Sequence, residues 1–214
     1  MAPPPEEKEQ LMIIGLSGYA GSGKDTAAEI IKSIDPTWEV KRFSEKLKQV
    51  AEILTGIPAH AFNSQEVKAS ALSHHWDRWE YKPKAGGTPV LPVYSGEVSR
   101  KPMFIRDFLQ ILGTDAVRDN LHEDAWVIAL MHEYRPDSKW IITDVRFFNE
   151  CAAIKEKGGI IVRVDRGRPV NRHPSETAID DYLFDEVIHN HGGIDEYIER
   201  VKYFYEKKIL FSLQ

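Results

Sequence analysis

Apolar residues follow two kinds of pattern along the chain. Four short apolar-rich runs, at residues 12–16, 38–43, 140–143 and 160–164, read as strands buried on both faces of a sheet, and a weaker fifth lies at 186–189. Between them the spacing changes to that of helices, at residues 24–33, 45–54, 105–112, 125–134, 149–157 and 194–205. In the last of these, Ile194, Tyr197, Ile198, Val201 and Tyr205 recur on one face. Strands alternating with helices imply an α/β fold: about five parallel strands with helices on both faces. Gly158-Gly159 closes the helix at 149–157, and Gly192-Gly193 separates the last strand from the last helix. The rhythm fails over residues 60–101, where Trp76, Trp79, Tyr81 and Tyr94 mix with the turn-rich KPKAGGTP. That stretch reads as an insertion within the same domain, of the kind that forms a lid or binding loop.

Composition narrows the class. The 214 residues suit one domain, 11–214, and 42% hydrophobic with 29% charged residues are globular values that exclude disordered, collagen-like and coiled-coil chains. Subtracting 33 acids from 28 bases leaves −5, which argues against a chain built to coat nucleic acid or an anionic membrane and confines cationic chemistry to a local site. The longest apolar stretch, Ala125–Met131, is far short of the roughly 20 residues a membrane helix requires. The opening MAPPPEEKEQ lacks the basic tip and hydrophobic run of a secretory signal and reads as a disordered tail, residues 1–10. The single cysteine, Cys151, forms no intrachain disulfide, and no Cys/His cluster has metal-ligand spacing, so a reducing cytoplasm is expected and structural zinc is not.

Candidate chemistry starts at GYAGSGKDT, residues 18–26, directly after the first strand and at the opening of the first helix. Glycines let the backbone curl so that successive N–H groups point inward, the helix start adds partial positive charge, and Lys24 adds a full one for the β and γ phosphates. Gly18, Ala20, Gly21, Ser22, Gly23, Lys24, Asp25 and Thr26 are therefore the expected nucleotide-binding set, against the plainer reading of a Gly-rich turn. Where the general pattern has a magnesium-ligating Ser or Thr after the lysine, this chain has Asp25 and then Thr26. Either residue is a candidate ligand, and Asp25 has the alternative of favouring the helix N-terminus as an acid.

The strand at 140–143 runs into Asp144-Val145-Arg146, at the carboxyl edge where ligands of open α/β sheets bind. Asp144 is the expected magnesium partner and Arg146 the phosphate-binding fork, the alternative being an Asp that caps the next turn with Arg146 paired to it. Arg163, Arg166, Arg168 and Arg172 fall within ten residues and precede His173-Pro174-Ser175-Glu176. A lid at about 165–175 would bring Arg166, Arg168 and Arg172 onto transferring phosphates; a solvated basic loop and a nucleic-acid contact are the other readings. Lys48, in FSEKLK at 43–48, and Arg106 and Arg118, the latter closing LQILGTDAVR at 109–118, are candidates for an acceptor phosphate or else plain solvated cations. Trp76, Trp79, Tyr81, Phe104 and Gln110 are candidates for base selection by stacking and edge hydrogen bonds, with core or lid packing as the alternative.

Taken in order, GSGKDT (21–26), FSEKLK (43–48), LQILGTDAVR (109–118), TDVRFFNE (143–150), HPSE (173–176) and VIHNHG (187–192) resemble the landmarks of the deoxynucleoside monophosphate kinases of tailed bacteriophages, across nearly the whole chain. The resemblance extends to the Lys-Asp-Thr ending of the Gly-rich loop. It implies a P-loop kinase fold with an acceptor-binding insertion and an arginine-rich lid, ATP as phosphoryl donor, Mg²⁺, and a deoxynucleoside 5′-monophosphate as acceptor, serving DNA precursor supply. It gives Lys48, Arg106, Arg118 and Arg146 roles at the acceptor phosphate, implies the cytoplasm of an infected bacterium as location, and makes nucleotides rather than stable nucleic acid or membrane the partners, with a homodimer left open. The acceptor phosphate is already an anion, so transfer needs no catalytic base. Two rival functions share the cradle: a P-loop kinase of another small phosphorylated metabolite, such as phosphomevalonate, and a nucleotide-gated ATPase or binding module.

Overall fold

A computed structural model describes residues 12–83, 96–167 and 178–210, without the side chains of 79–83 and 96–98. The expected tail at 1–10, Arg168, Arg172, the HPSE motif and the side chains of Trp79 and Tyr81 lie outside what it describes. In chain order the elements are β1 (Ile13–Ser17), α1 (Lys24–Ile34), β2 (Trp38–Lys41), α2 (Phe43–Thr55), α3 (Gln65–Ala69), β3 (Arg78–Pro83), β4 (Gly96–Lys101) and α4 (Ile105–Gln110). They continue with α5 (Ala125–Met131), β5 (Lys139–Val145), α6 (Phe148–Glu156), β6 (Ile160–Asp165), β7 (Glu186–His189) and α7 (Ile194–Phe204). All five expected strands form one parallel sheet in the order β2-β5-β1-β6-β7. Chain contacts group the residues into two compact units, one holding residues up to Lys46 and from Asp124 onward, the other Leu47–Glu123.

In the first unit, helices cover both faces of the sheet, which is why its strands read as apolar runs rather than as alternations. Along β1, Ile14 and Leu16 pack with Ala27, Ala28 and Ile31 of α1 and Val201 of α7. The preceding residue, Ile13, turns to the other face, with Val127 and Leu130 of α5 and Cys151 and Ile154 of α6. Full burial of each such aliphatic side chain contributes about 1.5–3 kcal/mol. Burial pushes the Cys151 thiol up to about 12, which leaves it an inert core group. Asp35, at the end of α1, fastens three elements: it accepts from Lys139 Nζ at 3.0 Å on β5, from the Tyr205 hydroxyl at 3.1 Å after α7, and from both N–H and hydroxyl of Thr37. Tyr205 in turn accepts from the indole of buried Trp38 on β2.

The second unit has its own core of Ala51, Phe62, Leu72, Met103, Ile105, Phe108 and Leu109. The stretch expected to be an irregular insertion contains α3 and an antiparallel ladder, β3 with β4, that pairs Arg78 with Lys101 and Pro83 with Gly96. The helix expected at 105–112 also runs further: after α4 the chain continues in wider π-helical turns over Ile111–Arg118.

Candidate active site

The Gly-rich loop leaves β1, the central strand, and closes on α1. Gly23 caps the helix at φ +106°, a left-handed conformation that side chains disfavour, and a Cβ there would lie 2.7 Å from Asn190 Nδ2. Gly18 has φ +150°, and a Cβ on it would lie 2.5 Å from the Val164 carbonyl oxygen. The loop is therefore held at close quarters by β6 and by Asn190, just after β7. Asn190 Nδ2 donates to the Ser22 carbonyl at 2.8 Å, and the Tyr197 hydroxyl donates to the Gly23 carbonyl at 2.9 Å. Lys24 folds back over the loop, its Nζ donating to the carbonyls of Gly18 (2.6 Å) and Tyr19 (2.8 Å). Below it, Asp180 joins the Tyr19 hydroxyl at 2.7 Å to Arg163 at 3.0 Å, and Arg163 also lies over the Tyr19 ring.

A cavity of about 300 Å³ opens on this loop, near the lower end of the range for small-ligand sites. Gly21, Gly23 and Lys24 form one wall with Asp25 and Thr26 at the start of α1; Arg166 follows β6; Asn190, Gly192, Ile194 and Tyr197 come from the β7–α7 corner. Arg166 Nη1 donates to the Gly21 carbonyl at 3.3 Å, so of the three arginines expected in a lid this one, within the described residues, lies at the loop. Of the cavity lining, Asn190, Gly192, Ile194 and Tyr197 are residues to which the sequence pattern assigns no role in the site. Nothing in that pattern separates Tyr197 from the rest of the apolar stripe of the last helix, and Asn190 lies inside the VIHNHG motif with no chemistry of its own to mark it.

Asp25 pairs with Arg42 at 2.7 Å. Burial alone would raise its pKa, but the Arg42 hydrogen bond and charge, the nearby Thr143 hydroxyl and Lys24 hold it below the usual carboxylate range. The Thr143 hydroxyl is itself buried with no partner in hydrogen-bond geometry among the described residues. A charged carboxylate and the Thr26 hydroxyl at the cavity wall are hard oxygen donors of the kind Mg²⁺ takes, so the donor set fits the ion. Asp144 also braces the fold, because its two oxygens accept the N–H groups of Phe43 and Ser44, each at 2.9 Å, and so tie the end of β5 to the first turn of α2. This is a cap, but on a helix about a hundred residues away rather than on the next turn. The next turn is held by Glu150, a buried carboxylate whose Oε2 accepts from the N–H of Arg146 at 2.7 Å and of Phe147 at 3.1 Å. Arg146 is half-buried on that turn.

The remaining expected residues belong to the second unit. Lys48 donates to Asn63 at 2.8 Å, Arg106 to Gln65 at 3.0 Å, Gln110 is exposed and Arg118 half-buried. The Trp76 ring meets Phe108 edge-on at 5.0 Å against the local core, which is packing, and Trp79 is described only by its backbone place in β3 opposite Arg100.

Numbered within the sheet, the strand order is 2-3-1-4-5 with the Gly-rich loop on the central strand, a lysine over that loop, and a carboxylate ending the neighbouring strand. These features define a nucleotide-binding phosphotransferase of the P-loop kinase class. Comparison with known proteins agrees: the family model described as deoxynucleotide monophosphate kinase matches residues 93–201. The chain is 30% identical over 210 residues to a putative deoxynucleotide monophosphate kinase of Acanthamoeba polyphaga mimivirus, covering 89% of this chain and 94% of that protein. It is 26% identical over 229 residues to the deoxynucleoside-5′-monophosphate kinase of Escherichia phage T5, covering 86% of this chain and 92% of that one. The chain belongs to the deoxynucleotide monophosphate kinase family. No helix among the described residues is long and apolar enough to cross a membrane.

Proposed function

We propose that this chain uses ATP, with Mg²⁺, to phosphorylate a deoxynucleoside 5′-monophosphate, yielding ADP and the deoxynucleoside diphosphate. Membership of the family makes it a phosphotransferase and sets aside the two rival readings, a kinase of an unrelated metabolite and a nucleotide-gated module. The observation that carries the ATP assignment is the cavity on the Gly-rich loop, where the Lys24 ammonium, the start of α1 and Arg166 converge.

An acceptor phosphate oxygen attacks the γ-phosphorus in line as the bond to the β–γ bridging oxygen breaks, and the leaving group is ADP. Both reactants are polyanions, so the protein's work is to position them and to offset their repulsion. Lys24 moves from the Gly18 and Tyr19 carbonyls to the phosphates, Arg166 closes over them, and Arg146 holds the acceptor phosphate on a turn that Glu150 keeps rigid. Asp25 and Thr26 would hold Mg²⁺, with Asp144 as a further candidate ligand, and the ion would supply charge neutralisation at the β and γ phosphates. Lys48, Arg106 and Arg118 of the second unit are assigned to the acceptor, and Arg168 and Arg172 to lid closure.

The test is ADP release measured by a coupled assay across all deoxy- and ribonucleoside monophosphates. ADP formation that depends on a deoxynucleoside monophosphate supports the proposal. ADP release indifferent to every monophosphate rejects it.

A further inference from the structure

Asp165 ends β6 and is in register with His189 at the end of β7, and His191 follows two residues later. Asp165 Oδ2 lies 3.3 Å from His189 Nδ1 and 3.2 Å from His191 Nε2, and one ligand atom from each of the three residues lies within 4.8 Å of the other two. We propose that Asp165, His189 and His191 form a binding site for a divalent transition-metal ion of the zinc type, separate from the magnesium that accompanies the nucleotide.

Three observations carry it. The first is spacing. In a tetrahedral site with metal–ligand bonds of about 2.0–2.1 Å, neighbouring ligand atoms stand about 3.3–3.4 Å apart, and the two Asp–His separations are already close to that. The second is donor chemistry: two imidazoles and one carboxylate suit zinc, cobalt or nickel, whereas magnesium prefers all-oxygen surroundings. The third is the support behind the ligands. Gly167 N–H donates to Asp165 Oδ1 at 2.9 Å, which fixes the carboxylate and leaves Oδ2 toward the rings. The Asp165 carbonyl accepts from Asn190 N–H at 2.6 Å, and the His189 carbonyl accepts from Arg200 at 2.8 Å, so both strand ends are held. The imidazoles are 57% and 53% exposed, so an ion has an entry path and room for water as a further ligand.

The site adjoins the nucleotide cavity through the chain itself. Arg166 follows Asp165, and Asn190 lies between the two histidines; both line the cavity. An ion there pins the edge from which these two side chains reach the Gly-rich loop. The competing explanation is a metal-free cluster in which the histidines simply hydrogen-bond the carboxylate.

The experiment titrates tag-free, full-length protein with Co²⁺ in the absence of nucleotide and follows the visible d–d absorption, then adds Zn²⁺. The expected result is saturation at one equivalent, loss of the band as Zn²⁺ displaces Co²⁺, no band in His189→Asn/His191→Asn, and at least tenfold weaker binding in Asp165→Asn. The band persists in His74→Asn/His75→Asn, whose ring centroids lie 4.0 Å apart elsewhere in the chain. Absence of a protein-dependent band, or its survival in the His189/His191 variant, overturns the proposal. Should that variant fail to fold, imidazole ¹⁵N NMR of the wild type decides. Zn²⁺ must shift two of the eight histidines, assigned through bonds as His189 and His191, and a shift of any other pair, or of none, overturns it.

Discussion

Asn190→Ala removes the side chain that ties the end of β7 to the Gly-rich loop. Its amide donates to the Ser22 carbonyl at 2.8 Å, and the residue is only 9% exposed, so truncation leaves a buried acceptor unpaired. That costs about 1–3 kcal/mol. For a chain of this size each kcal/mol moves Tm by about 2–4 °C, so thermal unfolding should shift down by roughly 2–12 °C. The freed loop is also the one proposed to bind the phosphates, and Asn190 lines the same cavity. If the whole cost fell on the binding-competent loop, ATP and ADP affinity would drop by about 5- to 150-fold, at tenfold per 1.4 kcal/mol. Circular dichroism melts with and without ADP, alongside calorimetric titration, measure both effects. Tyr197→Phe deletes only the hydroxyl that donates to the Gly23 carbonyl and should show a smaller change in the same direction, about 0.5–1.5 kcal/mol. An Asn190→Ala protein with wild-type Tm and wild-type nucleotide affinity would refute this account of how the loop is held.

Glu150→Ala leaves the N–H groups of Arg146 and Phe147 without their carboxylate; a loss of about 3 kcal/mol in urea unfolding is expected, with a raised acceptor KM, and Glu150→Gln should recover part of both. Asp35 gives a pH signature. Burial pushes its pKa up, but the bonds from Thr37, Lys139 and Tyr205 outweigh that and hold it well below the usual 3.8. With the folded pKa depressed, its stabilisation is complete above the ordinary carboxylate range and disappears as the pH falls through it and beyond. The stability difference between wild type and Asp35→Asn, from denaturant melts across pH, should therefore be large at pH 7 and shrink in acid; a constant difference would count against the network. Cys151, buried with its thiol pushed up to about 12, should react with a disulfide reagent only upon unfolding, which a spectrophotometric thiol assay in native and denaturing buffer checks.

The sheet is legible in the sequence because both of its faces are covered: Ile13 and Ile14 point opposite ways yet both are buried, so the strands stand out as apolar runs. The order of strands is not, since nothing local to residues 139–145 tells that they lie between β1 and β2. The β3–β4 ladder is hidden because Arg78, Glu80, Lys82, Glu97 and Arg100 break the apolar signal that marks a buried strand. Within the site, Lys24 and its glycines can be read because a phosphate loop is contiguous. Asp144 stands out by its position at a strand end, but its partners at Phe43 and Ser44 depend on a crossover that the sequence does not display. Glu150 has the spacing of a capping box, yet Phe147 stands where the usual Ser or Thr would announce it. The His-x-His pair at 189 and 191 is concealed as the partners of Asp144 are: its carboxylate arrives from the neighbouring strand, 24 positions upstream.

In the proposed mechanism, transfer between two polyanions is driven by positioning and by the positive charge gathered at the Gly-rich loop, with Lys24 at its centre. Single-turnover phosphoryl transfer from ATP to the preferred deoxynucleoside monophosphate, comparing wild type with Lys24→Met at saturating substrates, tests it most directly. The expected rate is lower by roughly 10²–10³-fold or more, with an unchanged circular dichroism spectrum. A near-normal rate in the folded variant would contradict it.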